Sequence, residues 1–104
     1  MDEKYSKLDS EHLEPALSEF YEEFISDRYN ELPELNKGIE EKNFGIIEEL
    51  SHKWKGFSAP YGFAGLAQIA ALMETSAKNK DIESSQRLAK EVIEYLKYKK
   101  SKRG

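Results

Sequence analysis

Four residues in the middle of the chain have the types and spacing to support chemistry at a histidine: His52, Lys55, Gly56 and Glu74. A neutral imidazole nitrogen is a nucleophile that can carry a phosphoryl group. For this role one ring nitrogen must present its lone pair outward while the other is held as N–H. A carboxylate beside the ring would fix that tautomer. The pattern therefore indicates a histidine nucleophile with an orienting acid.

The segment around His52 is predicted to be a helix whose apolar residues share one face. Read at about 100° per residue, that face comprises Ile47, Leu50, Trp54 and Phe57. His52 lies on the opposite face. Its neighbours at helical spacing are Gly45, Glu48, Glu49, Lys55, Gly56 and Ala59. Glycine inside a helix costs about 1 kcal/mol relative to alanine. We interpret the two glycines and the alanine as a bare surface that lets another macromolecule reach the imidazole.

Lys55 and Glu74 are placed to act on the same ring. Lys55 lies one turn after His52 and supplies a positive charge for phosphate oxygens. A turn at residues 60–62 would fold the next helix back and bring His52 near the level of residue 70. Because side chains lean towards the N-terminus of their own helix, His52 and Glu74 would lean towards one another. Alternatively, Glu74 forms an intrahelical ion pair with Lys78 at i+4.

The elements that position these residues are all predicted to be helices. Asp9 or Ser10 can cap a first helix. Pro33 predicts a kink or short break, followed by a second helix or a kinked continuation. Asn43 is the predicted N-cap of the central helix, and Asp81 or Ser84 caps the last one. The expected helices cover about 11–29, 32–42, 44–59 and 63–78, and a last helix runs from whichever of the two caps begins it to about residue 99.

Short turns between these helices favour antiparallel neighbours, and no convincing β alternation occurs. The sequence therefore predicts an all-α fold, an antiparallel up-and-down four-helix bundle with an N-terminal helical extension. Residues 1–104 are expected to form a single domain, with 1–9 and 100–104 loosely ordered. The basic run at the end is expected to extend into solvent as a group: Lys97, Lys99, Lys100, Lys102 and Arg103.

Composition excludes several classes of function. The 104 residues carry a net charge of -4, which argues against a general nucleic-acid binder. There is no cysteine, so disulfides and thiolate chemistry are excluded. His12 and His52 are the two histidines, and no ligand spacing suggests a metal site; His12 is interpreted as an ordinary surface residue. Without an apolar run long enough to span a membrane or a signal-peptide pattern, the expected compartment is the cytoplasm.

The motif His52-x-x-Lys55-Gly56-x5-Gly62-x3-Leu66, followed by Met73-Glu74, resembles the histidine-containing phosphotransfer (HPt) domains of two-component phosphorelays. The similarity is densest over about residues 43–74 and extends loosely over nearly the whole chain. Trp54 replaces a more usual aliphatic residue on the core side.

This resemblance implies a set of roles. His52 would accept a phosphoryl group from a receiver-domain aspartate or a histidine kinase and pass it to another receiver aspartate. Lys55 would assist, Gly56 would give clearance, and Glu74 matches the position that bonds the imidazole. The surface that docks the receiver would include Gly45, Glu48, Glu49 and Ala59.

The resemblance also implies a monomer without kinase activity or a cofactor of its own, since Mg²⁺ belongs to the partner receiver domain. The expected partners are a response-regulator receiver domain, a histidine kinase, or both, with no nucleic acid and no membrane. Two alternatives remain open. One is a docking or scaffold module that keeps the HPt fold without transferring phosphate, and the other is a small helical enzyme or cofactor carrier. Met1 favours a freestanding protein.

Overall fold

The computed structural model describes the backbone of residues 19–103 and the side chains of residues 19–101. It contains the helices α1 (Tyr21–Glu40), α2 (Phe44–Phe57), α3 (Ala64–Lys78) and α4 (Ile82–Arg103), with a short 3₁₀ helix at Ala59–Tyr61. No strand occurs among residues 19–103. The all-α prediction is confirmed. Residues 21–29 of the predicted N-terminal helix belong to α1, whereas its first part, 11–18, which includes His12, lies outside the described residues.

The four helices form a closed ring in which each packs against two neighbours. Helix α2 lies between α1 and α3, and α4 completes the ring between α3 and α1. The hydroxyl of Tyr21 at the start of α1 donates to the carbonyl of Lys99 near the end of α4, at 3.1 Å. Ser76 near the end of α3 hydrogen-bonds Ser85 near the start of α4, at 2.7 Å. Helix α4 therefore runs antiparallel to both of its neighbours, α1 and α3, as predicted for an up-and-down bundle.

A single core fills the ring, and the apolar face predicted for the helix that carries His52 lines one side of it: Ile47, Leu50 and Trp54 are buried, and Phe57 is half-buried. Helices α3 and α4 contribute the buried residues Leu66, Ile69, Ala70, Met73, Leu88, Val92, Tyr95 and Leu96. Full burial of one such side chain stabilises a protein by about 1.5–3 kcal/mol. The core thus holds one face of α2 inward and leaves the face of His52 to solvent.

Helix α1 runs without a break through Pro33, where the sequence predicted a kink or two helices. Proline in a helix interior removes a backbone hydrogen bond and costs about 3 kcal/mol. Pro33 points to solvent, so its ring displaces no core side chain. The buried residues on either side of it, Ile25 and Leu35 among them, belong to the same cluster. Packing of that continuous stripe overrides the local preference of proline.

The connections between helices are short and well capped. At the end of α1, Lys42 adopts a left-handed backbone with φ 53°, and the Asn43 N–H donates to the Gly38 carbonyl at 2.8 Å. The side chain of Asn43 then accepts from the Ile46 N–H at 3.3 Å, as predicted for the N-cap of α2. Asp81 accepts from the Ser84 N–H at 3.1 Å. Asp81, rather than Ser84, is therefore the cap of α4.

Helix α2 ends at Phe57, slightly earlier than predicted, and the chain turns through Pro60 to Gly62. Gly62 has φ 92°, a left-handed conformation that glycine adopts without strain. Helix α4 continues beyond its predicted end, to Arg103. Lys99 lies on the side of α4 that faces the bundle.

The expectation that the whole basic run at the end of the chain extends into solvent is wrong at Lys99, which is buried. Its ammonium donates to the carbonyl of Gly62 at 2.8 Å. It also lies 4.9 Å from the ring centroid of Phe63 and 5.6 Å from that of Tyr21. The aromatic faces and the carbonyl satisfy the buried charge. Lys99 thereby ties the end of α4 to the turn between α2 and α3.

Candidate functional site

His52 lies on the solvent face of α2, with 69% of its side chain exposed. Its Nδ1 is 2.8 Å from Oε2 of Glu74, which belongs to α3. Only 7% of the Glu74 side chain is exposed. The turn at residues 58–63 aligns the two helices, so residues far apart in the sequence meet across the α2–α3 interface. The structure therefore brings together the histidine and the acid that the sequence analysis paired.

The contact with Glu74 determines which ring nitrogen is available. The hydrogen bond from Lys55 holds the pKa of Glu74 below its ordinary value, outweighing the upward effect of burial, and His52 adds to the lowering. Glu74 is therefore ionised near neutral pH and can only accept hydrogen bonds. Nδ1 of His52 must carry the proton. In the neutral ring, Nε2 keeps its lone pair for an approaching group.

Lys55 contacts the other oxygen of the same carboxylate, with its Nζ 2.5 Å from Oε1 of Glu74. Lys78, on α3 itself, lies further away, with its Nζ 3.9 Å from Oε2. Glu74 therefore contacts His52 across the helix interface and also forms the intrahelical pair with Lys78. The contacts across to α2 are the shorter ones, so the ring and Lys55 hold the carboxylate more closely than the intrahelical partner does.

Gly56, one turn beyond His52, lies next to open space. A Cβ built there would meet no atom of the surrounding structure within 4 Å. At Gly45 it would meet the Asn43 side-chain oxygen at 3.4 Å, an ordinary contact. Among the remaining residues of the predicted docking surface, Glu49 is exposed, whereas Glu48 and Ala59 are half-buried. The approach to the imidazole along α2 is consequently unobstructed at Gly56.

A second polar cluster on the α1 side of α2 was missed by the sequence analysis. Oε1 of Glu31 accepts from Nε1 of Trp54 at 2.8 Å and from Nε of Arg28 at 2.6 Å. Lys53 approaches the other oxygen at 3.6 Å. The signals available in the sequence were the i,i+3 spacing of Arg28 and Glu31 and the need of a buried indole N–H for an acceptor.

Arg28 in this cluster is itself buried. Its guanidinium lies 4.4 Å from the ring centroid of Phe24 and 4.7 Å from that of Phe57. The cluster therefore combines an ion pair, an indole hydrogen bond and two aromatic faces. These contacts fasten α1 to α2 on the side away from His52.

Among the side chains of residues 19–101, no group of three or more His, Cys, Asp or Glu could hold a metal ion. In the same part of the chain, no helix has both the length and the apolar character needed to cross a membrane.

No family model, curated protein or solved structure matches this chain. The likeness to phosphotransfer domains therefore rests on the motif residues themselves.

Proposed function

We propose that this protein is a histidine phosphotransfer protein and that His52 is its phosphoacceptor. One observation supports this above the others. An exposed imidazole has its Nδ1 bound by a buried, ionised carboxylate, which leaves Nε2 as the nucleophile. The proposed partners are a receiver domain carrying an aspartyl phosphate, a histidine kinase, or both. The setting we propose is the cytoplasm, where the protein would act as a monomer.

The proposed reaction is a reversible transfer between an aspartate and His52. The Nε2 lone pair attacks the phosphorus of the partner's aspartyl phosphate. The N–P bond forms as the P–O bond to the aspartate breaks, and the aspartate leaves as a carboxylate with the electron pair. Nδ1 keeps its proton throughout, so the phosphorylated ring is cationic. The negative charge of Glu74 stabilises this cation. Attack by a second receiver's aspartate reverses the step.

Lys55 and Gly56 serve the two other needs of this reaction. The Lys55 side chain is 42% exposed, so its ammonium can turn from Glu74 towards the oxygens of the incoming phosphoryl group. An in-line reaction requires the reacting atoms to come within about 3–3.5 Å. The open space at Gly56 lets a receiver approach that closely. No nucleotide site is needed in this chain, because the donor phosphoryl group arrives already activated.

A transfer assay tests the proposal. Receiver domains charged with radiolabelled acetyl phosphate and Mg²⁺ would be mixed with the wild type, with His52→Gln and with His12→Gln. We expect acid-labile, alkali-stable label on the wild type and on His12→Gln, and none on His52→Gln. Label that persists in His52→Gln would contradict the assignment. Receiver binding without any label on the wild type would favour the docking module instead.

A further inference from the structure

Glu74 has a third neighbour, Lys78, in addition to the two groups that the proposed reaction uses, His52 and Lys55. Lys55 holds Oε1 at 2.5 Å and His52 holds Oε2 at 2.8 Å. Lys78 stands 3.9 Å from Oε2, too far for a hydrogen bond but within ion-pair range. Its side chain is 59% exposed, so it is free to move closer. It also lies in the last turn of α3, where a helix favours cations.

The proposed transfer removes the closest partner of Glu74. When the phosphoryl group arrives on His52, it attracts the Lys55 ammonium away from Oε1. The phosphorylated ring stays on Oε2, but Oε1 loses its donor, and a carboxylate that is only 7% exposed has little water to replace that hydrogen bond. A less stable Glu74 anion would hold the Nδ1–H of the ring less firmly. The reaction therefore benefits from a second cation that can reach the carboxylate.

We propose that Lys78 is a positioning residue that takes the place of Lys55 at Glu74 while His52 carries the phosphoryl group, an inference that rests on the proposed function. Lys78 acts through the carboxylate and does not contact the reacting atoms. Closing its distance from 3.9 Å to an ion-paired hydrogen bond of about 2.8 Å is a small movement at the end of an exposed side chain. Lys53 cannot serve, because it lies beside Glu31 on the α1 side of α2.

The first test uses the unphosphorylated protein and needs no partner. Carboxyl ¹³C titration would follow Glu74 in the wild type, Lys55→Met, Lys78→Met and the double variant. Lys53→Met is the matched control, since Lys53 is similarly exposed and approaches a different carboxylate. We expect a small rise in the pKa of Glu74 in Lys78→Met, and a rise in the double variant larger than the sum of the two single changes. If the rise in the pKa of Glu74 in the double variant equals the sum of the two single rises, Lys78 does not take the place of Lys55.

The second test measures transfer from a charged receiver by rapid quench. We expect Lys78→Met to slow transfer by about two- to fivefold, the range that an exposed ion pair supports. Lys78→Arg should restore the rate, and Lys53→Met should leave it unchanged. A wild-type rate in Lys78→Met would overturn the inference. If the wild type takes no label at all, the proposed function fails, whereas the titration still shows whether Lys78 shares Glu74.

Discussion

Two glutamates flank helix α2, and each gathers three positively charged or N–H donor groups. Glu74 on α3 receives His52, Lys55 and Lys78. Glu31 on α1 receives Arg28, Trp54 and Lys53. The difference is in which partner is buried. At Glu74 the acid is buried and its partners are exposed, whereas Glu31 is more exposed than the guanidinium and indole it binds.

This difference separates the proposed reactive site from a structural one. Arg28 and the Trp54 indole are donors only, so once bound to Glu31 they offer no lone pair. Their burial converts the polar contacts into a fixed packing of α1 on α2. The imidazole of His52 has a second nitrogen, which the exposed position leaves accessible. One helix therefore carries stability on one side and proposed chemistry on the other.

The largest effect on folding is expected from Glu31→Ala. This change leaves the Arg28 guanidinium and the Trp54 N–H buried without their acceptor, which should lower the free energy of unfolding by about 3 kcal/mol. Phosphotransfer by the folded fraction should be unchanged. Urea unfolding followed by the fluorescence of the single tryptophan measures the first quantity, and rapid-quench kinetics the second. A loss below about 1 kcal/mol would mean that water replaces the carboxylate and that the two glutamates differ less than proposed.

Glu74→Ala should show the opposite profile. Its partners His52 and Lys55 are exposed and can rehydrate, so the loss of stability should be smaller than in Glu31→Ala. Transfer should slow by about tenfold because the ring is no longer held in one tautomer. Glu74→Gln keeps an oxygen acceptor, so its transfer rate should lie between those of the wild type and Glu74→Ala. Lys55→Ala should transfer at least as slowly as Glu74→Ala. A wild-type transfer rate in Glu74→Ala would remove the orienting role and leave the assignment of His52 intact.

The acid dependence of stability should also distinguish Glu74. Its pKa in the folded protein lies below the ordinary value of 4.5, chiefly because of the hydrogen bond from Lys55. A lowered pKa contributes stability that is fully present above 4.5 and is lost as the pH falls through the folded value. Glu74→Gln removes that ionisation, so its free energy of unfolding should fall less than that of the wild type between about pH 5 and pH 3. Parallel losses in urea melts of the two proteins would contradict this.

The smallest effects concern two glycines: Gly56 in α2, one turn beyond His52, and Gly38 in α1, where that helix packs on α2. Gly56→Ala should stabilise the protein by up to about 1 kcal/mol, since the added Cβ meets open space. Gly38→Ala should destabilise it, because a Cβ there would lie 3.1 Å from a methyl carbon of Ile46 where α1 packs on α2. Thermal unfolding compares the two. For Gly56→Leu, transfer kinetics should show slower exchange with receivers, and an unchanged rate would mean that the open space has no docking role.

The sequence was most informative where local periodicity and turn chemistry decide the structure. The apolar stripe of α2 and the caps at Asn43 and Asp81 follow rules that act within a few residues. The meeting of His52 with Glu74 followed from a short turn and the lean of helical side chains. These arguments need no knowledge of how distant helices pack, and the structure agrees with them.

Where the outcome depended on long-range packing, the sequence was insufficient. Pro33 signals a break, yet continuous packing of α1 overrides it. Lys99 reads as part of a solvated tail, and only the position of α4 beside the α2–α3 turn shows that it is buried. The contact of Glu31 with Trp54 depends on the register between α1 and α2, which no local pattern specifies.

The position of the site within one helical hairpin bears on the order in which the protein folds. His52 and Glu74 are separated by 22 positions, whereas the hydrogen bond from Tyr21 to Lys99 spans 78. The entropy lost on closing a loop grows with its length, and structures rich in local contacts form faster. The α2–α3 hairpin should thus assemble ahead of the docking of α1 against the end of α4. The imidazole would then meet its carboxylate early in folding, before the ring of helices closes.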